Sequence, residues 1–265
     1  MNVKLPDDIL ELAGIEQQRE VWDKYVNAEV GPVPRVTHII AQCNDQAGII
    51  NWAANMGRKK YDYYRNKALD TGTIVHELID QYLLCTYRDH TNFSIDYTEI
   101  PQELREGVFN AIENFKIWCK QVDSIEVVGL EIPVSCPWYG GTIDGILKIN
   151  GAYYIVDFKT SKGISPEYLI QTAAYMWVIN NGYAPNLPHI DGMGIIRVDK
   201  RRISDEIDDF FLNDFIPAEH DIIIQLENCF ASYVEAYYRN INVNYLLSTY
   251  PYDPMNKFLI KDEIA

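Results

Sequence analysis

The spacing of apolar residues predicts a helical first half of the chain and a mixed second half. From Thr37, apolar positions recur at helical spacing for about 80 residues, and few Gly or Pro residues interrupt them. This pattern predicts helices over 37–42, 46–56, 58–69, 72–87 and 101–121. Upstream, spaced apolar positions over 6–29 predict one or two short helices that end before the Gly31-Pro32-Val33-Pro34 break.

The second half contains runs of β-branched and aromatic residues that are typical of strands. The predicted strands are 126–134, 139–149, 153–160 and 191–199. The dipeptide Asn150-Gly151 predicts a tight hairpin between the second and third of them. Helices are predicted over 166–180 and 219–241. Residues 203–221 hold seven acidic side chains and no Lys or Arg, which favours a strand edge or a solvated loop.

The charge and the cysteines narrow the class of protein. Acidic residues outnumber basic ones by 38 to 23, and the formal net charge of −15 argues against a protein whose whole surface wraps nucleic acid. No apolar run approaches the roughly 18 residues that span a bilayer, and the N-terminus lacks the pattern of a secretory signal. The five cysteines are scattered and form no CxxC pair, which argues against a zinc or iron–sulfur site and indicates reduced thiols in a cytoplasmic protein.

Three charged residues on the predicted hairpin suggest metal chemistry. The two-residue turn places Asp144 opposite Asp157, with the two carboxylates about 5 Å apart. Because like charges at that distance repel, a cation between them is favoured, and carboxylate oxygens suit Mg²⁺ or Mn²⁺. Lys159 shares the strand face of Asp157 and could orient a water molecule or stabilise charge on a phosphoryl oxygen. The alternative is a structural Asp–Lys surface pair on an edge strand.

The wider pattern resembles the PD-(D/E)XK nuclease superfamily. The resemblance rests on Gly141-Thr142-Ile143-Asp144, the hairpin, and Ile155-Val156-Asp157-Phe158-Lys159-Thr160. Gly72-Thr73-Ile74-Val75-His76 and Gln171-Thr172-Ala173-Ala174-Tyr175 are similar to the helices that flank this signature in the RecB-type branch. Pro34-Arg35-Val36-Thr37 and Asn51-Trp52-Ala53 resemble the start of phage exonucleases and of the mitochondrial genome maintenance exonuclease.

This resemblance implies an α/β fold with a restriction-endonuclease-like core, in which a central mixed β-sheet is flanked by helices and preceded by a helical N-terminal region. Residues 1–125 would form the mainly helical region, and residues 126–265 the nuclease core with its C-terminal helix, together one compact unit. The implied activity is metal-dependent hydrolysis of DNA, by an exonuclease that prefers single strands or DNA ends. The resemblance also implies that the enzyme is encoded by a phage and acts in the cytoplasm of a bacterial host cell.

The resemblance also implies roles for individual residues. The implied metal ligands are His76, Asp144, Asp157 and the Phe158 carbonyl. Lys159 would be the catalytic lysine, and Gln171 and Tyr175 would orient the site or touch the DNA backbone. Glu131 and Asp80 would support the ligands. One or two Mg²⁺ or Mn²⁺ ions are expected, and no iron–sulfur cluster. The alternatives are an ordinary helix position for His76, a core role for Gln171 and Tyr175, and a surface strand position for Glu131.

A basic segment before His76 is the expected DNA track. It contains Arg58, Lys59, Lys60, Arg65 and Lys67. Tyrosines at 61, 63 and 64 lie between these residues and could stack on unpaired bases while the cations contact phosphates. Lys200-Arg201-Arg202 is a second candidate, and a solvated helix face with inward-packed tyrosines is the alternative. An endonuclease of the same superfamily and a non-catalytic DNA-binding protein are the other functions that fit these residues.

Overall fold

The computed structural model describes residues 24–27, 31–44, 47–201 and 215–249. A mixed sheet of five strands lies at its centre, in the order β3-β4-β5-β6-β7. Its strands are β3 (Ile125–Ser135), β4 (Gly140–Ile149), β5 (Ala152–Lys159), β6 (Gly192–Arg197) and β7 (Ile216–Pro217). Only the β5–β6 pair is parallel, and the other neighbours are antiparallel. A separate hairpin pairs β1 (Lys24–Asn27) with β2 (Gly31–Pro34).

Helices cover both faces of this sheet. They are α1 (Val36–Cys43), α2 (Ala47–Met56), α3 (Arg58–Leu83), α4 (Arg105–Gln121), α5 (Pro166–Asn180) and α6 (Asp221–Thr249), with a π-helical turn at Leu84–Arg88. Because side chains alternate along a strand, β5 contributes Ile155 to the core under α1, α5 and α6. Its neighbours Val156 and Phe158 enter the second core, under α3 and α4. The mixed sheet with flanking helices confirms the predicted α/β fold.

The hairpin that carries the candidate chemistry has the predicted register. Asn150 and Gly151 both have positive φ, at 51° and 92°, as a type I′ turn requires. The ladder from Ile149↔Ala152 to Gly145↔Val156 has the register that sets position 144 opposite position 157. The turn therefore fixes which residues meet across β4 and β5.

The structure corrects two predictions for the first half. Residues 24–27 form a strand rather than part of a helix, because they pair with Gly31–Pro34, where the positive φ of Gly31 supports the return of the chain. Residues 6–23 lie outside the described part. The two helices predicted over 58–69 and 72–87 are one helix, α3, followed by the π-helical turn. Gly72 does not break α3, and a side chain at 72 would contact the Thr160 hydroxyl.

Smaller differences occur at other ends. The helix predicted over 101–121 starts at Arg105, because residues 101–104 form a turn in which the Leu104 N–H donates to the Pro101 carbonyl. The last helix is longer than predicted and runs to Thr249. Within the acidic 203–221 segment, Ile216–Pro217 form an edge strand against β6, and residues 203–214 lie outside the described part.

Candidate active site

Asp144 lies on β4 where its ladder with β5 ends. The last backbone pair is Gly145↔Val156, and one step further Asp144 Oδ2 accepts a hydrogen bond from the Phe158 N–H at 2.9 Å. A side-chain carboxylate thus takes the place of a backbone carbonyl between the two strands. This arrangement keeps β4 and β5 together and leaves a second carboxylate oxygen available beside them.

Lys159 and Asp157 form a buried ion pair on β5. Lys159 Nζ lies 2.7 Å from Oδ1 and 2.6 Å from Oδ2 of Asp157, whose residue is only 5% exposed. Burial raises the pKa of Asp157 to about 7, against the effect of Lys159 and with a contribution from Asp144. Burial opposes the charged form of Lys159, but Asp157 and Asp144 outweigh it, so the pKa of Lys159 is raised and the group is an ammonium. The alternative that Asp157 and Lys159 are a structural surface pair on an edge strand is excluded, because β5 lies between β4 and β6.

His76 reaches the same place from α3. Its Nδ1 lies 3.7 Å from Asp144 Oδ2, and its ring hydrogen-bonds to the backbone carbonyl of Phe158. Burial lowers the pKa of His76, and Lys159 adds to this effect while Asp144 and the Phe158 carbonyl oppose it. The imidazole is therefore held close to Asp144 with its uncharged form favoured, and this is the form that ligates metals.

Glu131 joins this group from β3. Ligand atoms of His76, Glu131 and Asp144 all lie within 4.8 Å of one another. Glu131 has a φ of 49°, which is uncommon for a non-glycine residue, and it falls between the ladder pairs Leu130↔Gly145 and Ile132↔Ile143. One imidazole and two carboxylates form a donor set that fits a divalent cation such as Mg²⁺ or Mn²⁺.

Carboxylate repulsion is a second sign that a cation fits. Burial, together with the negative charges of Glu131, Asp144 and Glu77, raises the pKa of Asp80 to about 7. Burial and Asp144 also raise the pKa of Glu131. Asp80 therefore lies beside the ligand group that His76, Glu131 and Asp144 form. A positive charge there would relieve the mutual repulsion of these side chains.

The structure thus arranges the predicted ligands in two groups. His76 contacts both Asp144 and the Phe158 carbonyl, and Glu131 lies with His76 and Asp144. Asp157 is held by Lys159, and its oxygens are not part of that cluster. The assignment of Asp157 as a ligand stays a prediction.

Gln171 and Tyr175 lie behind the carboxylates on α5. Tyr175 is buried in the core and hydrogen-bonds to the Gln171 side chain. Burial raises the pKa of Tyr175, and Asp157 and Asp144 add to this effect, which places its hydroxyl near both carboxylates. Tyr175 is therefore a core residue that also borders the site.

A cleft of about 1080 Å³ is lined by His76, Asp80, Glu131 and Lys159. One face of α3 forms a wall that runs from Tyr61 and Tyr64 to His76 and Asp80. The aromatic residues that line the cleft are Trp52, Tyr61, Tyr64, Tyr168 and the buried Phe158. Its cationic side chains are Arg65, Lys159 and Lys200. The ring of Tyr168 faces Lys159 Nζ at 4.9 Å from the ring centroid, a cation–π contact.

The structure divides the predicted DNA track. Arg65 lines the cleft, and Lys67 lines an adjoining cavity of about 380 Å³. Arg58, Lys59 and Lys60 are exposed at the start of α3 and line neither space. Tyr63 and Tyr64 are 52% and 50% exposed, so the tyrosines do not all pack inward. Arg201 is paired with Asp199, and Arg202 lies outside the described residues.

Sequence reasoning assigned no role to Tyr168. It lies on α5 three residues before Gln171, so helical spacing places both side chains on related faces. This three-residue spacing from Gln171 is the feature of the sequence that could have indicated a place for Tyr168 in the site. Thr160 and Ser161, which also line the cleft, directly follow Lys159 and carried no signal of their own.

Comparison with known proteins agrees with this geometry. The family model of the PD-(D/E)XK nuclease superfamily matches residues 52–211, which cover His76, Asp144, Asp157 and Lys159. The chain therefore belongs to the PD-(D/E)XK nuclease superfamily. A search of curated proteins finds no match to the chain. Membership implies nuclease activity on DNA with a divalent metal ion. Among the described residues, no helix has the length and apolar character needed to cross a membrane.

Proposed function

We propose that this protein is a Mg²⁺- or Mn²⁺-dependent exodeoxyribonuclease of the RecB-type branch that degrades single-stranded DNA or DNA ends. One observation carries the proposal. The cleft that contains His76, Glu131 and Lys159 is also lined by Trp52, by three tyrosines and by the cations Arg65 and Lys200. Groups for hydrolysing a phosphodiester and groups for holding an unpaired strand thus share one space.

The ligand group supports a metal-dependent reaction. His76 and Asp144 would hold a divalent cation together with Glu131 or with Asp157 and the Phe158 carbonyl. Such a cation supplies Lewis acidity at the phosphate and activates water for attack. The residues of the chain supply the rest: Lys159 directs its ammonium group toward charge that develops on a phosphoryl oxygen. Asp157 holds Lys159 in place through two short contacts.

The aromatic lining supports a preference for unpaired bases. Stacking of a base on an aromatic side chain stabilises a single strand by about 1–3 kcal/mol per base, and paired bases do not offer their faces. Trp52 and Tyr64 are 45% and 50% exposed in the cleft, so their rings are accessible. The net charge of −15 disfavours long contacts with duplex DNA outside the cleft. The resemblance to phage exonucleases supports an enzyme that is phage-encoded and acts in the cytoplasm of a bacterial host.

A panel of DNA topologies tests this proposal. The substrates are end-labelled linear single strands, linear duplex and closed circular single strands, each with Mg²⁺, with Mn²⁺ and with EDTA. We expect loss of linear single strands with a metal ion and survival of the circles. Cutting of the circles would replace the exonuclease by an endonuclease of the same superfamily. Binding of all substrates without cleavage would replace the nuclease by a non-catalytic DNA-binding protein.

A further inference from the structure

Lys200 lies where the cleft meets the adjoining cavity. It lines both spaces, together with Tyr64 and Ala68. Lys67, Glu103 and Glu106 line the adjoining cavity but not the cleft. Lys200 lines both spaces. A DNA strand that leaves the His76, Glu131 and Asp144 group along α3 would therefore pass Lys200 before it reaches Glu103 or Glu106.

The segment that carries Lys200 is anchored by side-chain amides from α4. Asn110 Nδ2 donates to the Lys200 carbonyl at 3.1 Å. Asn114 Nδ2 donates to the carbonyls of Asp199 at 2.7 Å and of Arg201 at 3.2 Å, and Asn114 is buried. The Asp199 carboxylate accepts from the Arg201 backbone N–H at 2.8 Å. These bonds fix the backbone on both sides of Lys200.

The aliphatic part of Lys200 is also held. A side chain at Gly107 on α4 would lie 3.8 Å from Lys200 Cβ and 3.9 Å from Cδ. These are ordinary van der Waals distances, so the lysine stem packs against α4 at this position. The chain thus restrains both the backbone and the stem of one lysine, and its ammonium group enters the space beside the cleft.

Two further lysines place positive charge beside Lys200. Burial lowers the pKa of Lys200, and Lys162 and Lys67 lower it further, while Asp199 opposes them. In the described part of the chain, none of these three lysines has a carboxylate oxygen within 4 Å of its Nζ. Lys200 and Lys67 thus line one cavity with no ion-pair partner among the described residues, and Lys162 adds positive charge nearby, so an anion would be stabilised there.

We propose that Lys200 and Lys67 form a subsite for one backbone phosphate of the DNA strand, distinct from the scissile phosphate. The inference rests on the proposed function and names where the strand is held. Lys67 precedes His76 by nine residues on α3, a separation of roughly 13 Å. At a stacked spacing of about 3.4 Å per nucleotide, this corresponds to about four nucleotides. Glu103 and Glu106 repel a further phosphate, which limits this subsite to one.

Binding without turnover tests the subsite. Fluorescence anisotropy is measured in EDTA with labelled octathymidylate and dithymidylate, for the wild-type protein and for Lys200→Met, which keeps the aliphatic stem. The matched control is Lys120→Met on α4, an exposed lysine outside both cavities with the same change in charge. Lys200→Arg keeps the positive charge, and thermal unfolding shows whether each variant is folded.

We expect Lys200→Met to weaken octathymidylate binding about 10-fold, the effect of one charged hydrogen bond. The slope of log K against log salt should become shallower by about 0.7, because one phosphate contact is lost. Lys120→Met should match the wild type, Lys200→Arg should stay within about twofold of it, and dithymidylate binding should not respond to Lys200. If Lys200→Met and Lys120→Met bind octathymidylate with equal affinity and equal salt slope, the proposed subsite is wrong, while the proposed function is unaffected. Failure of the wild-type protein to bind either oligonucleotide would overturn the proposed function as well.

Discussion

The ring of Tyr175 occupies the space that a side chain at Gly141 would need. A Cβ built at Gly141 clashes with the hydroxyl oxygen and ring carbons of Tyr175, whose residue is buried. Gly141 lies on β4 three residues before Asp144, and Tyr175 lies on α5. The glycine of the Gly141-Thr142-Ile143-Asp144 motif is thus required by close packing, and it links the carboxylate strand to the helix behind it.

Gly141→Ala should therefore displace Tyr175. We expect a loss of about 1–3 kcal/mol in the free energy of unfolding, as for overpacking in a core, together with reduced cleavage. Urea unfolding and a cleavage assay measure the two effects. Gly163→Ala is the matched control, because a Cβ there meets nothing within 4 Å and φ is not positive. Equal stability of the two variants would contradict the packing argument.

Asp144→Asn separates the structural and chemical roles of this side chain. The amide oxygen can still accept the hydrogen bond from the Phe158 N–H, but the negative charge is lost. We expect cleavage to fall at least about 100-fold, with the metal-free protein as stable as the wild type or more stable, because repulsion with Asp80 and Glu131 is relieved. Cleavage rates and thermal unfolding in EDTA measure these effects.

Asp191→Asn is the control for that variant. Asp191 Oδ2 accepts a hydrogen bond from the Tyr153 N–H at 2.7 Å, so it bonds to the other end of β5 in the same way, but it is not part of the group formed by His76, Glu131 and Asp144. We expect Asp191→Asn to keep full activity per folded molecule. Equal loss of activity in both variants would show that Asp144 acts only by supporting the strand.

Metal addition should stabilise the protein more at high pH than at low pH. Asp80 and Asp157 have pKa values of about 7 in the folded state, above the ordinary values of about 4. The folded protein therefore binds more protons than the unfolded one between about pH 4 and 7, and the stability of the metal-free protein falls as pH rises through this window. A bound cation replaces these protons and opposes the loss.

Thermal unfolding at pH 5.5 and pH 8, with EDTA or with Mn²⁺, measures this effect. At a Mn²⁺ concentration 100 times the dissociation constant, the expected gain is about 2.7 kcal/mol. The gain at pH 8 should exceed that at pH 5.5. An equal gain at both pH values, or no gain, would argue against a cation among these carboxylates.

Tyr64→Ala should weaken binding of single-stranded DNA. Loss of one stacking partner is expected to cost about 1–3 kcal/mol, which corresponds to about 5- to 150-fold in affinity. Tyr63→Ala is a close control, because Tyr63 is the neighbouring residue, is 52% exposed against 50% for Tyr64, and does not line the cleft. Filter binding of labelled single strands in EDTA measures both. Similar losses in the two variants would mean that the cleft does not select the strand.

The hairpin could be predicted from the sequence because its register depends on local features. Asn150-Gly151 selects the turn, the turn fixes the pairing, and period-two alternation then places the side chains of Asp157 and Lys159 on one face. His76 could be placed only through the family resemblance, since nothing local indicates that α3 approaches β4. Even so, the predicted helix boundary at 69–72 was wrong, because Gly72 packs inside one continuous helix.

The positions of Glu131 and Lys200 depend on features that a linear pattern does not contain. The β3–β4 register shifts between Val127 and Gly129, and such an irregularity changes which face the following residues occupy. Period-two counting along β3 therefore cannot place Glu131 in the ligand group. Lys200 is positioned by Asn110 and Asn114, which lie some 90 residues earlier in the chain. Contacts of this kind are set by the assembled core.

The most direct test of the account is cleavage of end-labelled linear single-stranded DNA with Mn²⁺ by three proteins: the wild type, Lys159→Met and Lys148→Met. Lys148 lies on the same hairpin and pairs with Glu126 at 3.7 Å, outside the cleft, so it controls for loss of one positive charge. We predict that the wild type and Lys148→Met release nucleotides at similar rates, and that Lys159→Met is slower by at least about 100-fold. Equal rates for Lys159→Met and the wild type, or no metal-dependent cleavage by any of them, would contradict the account.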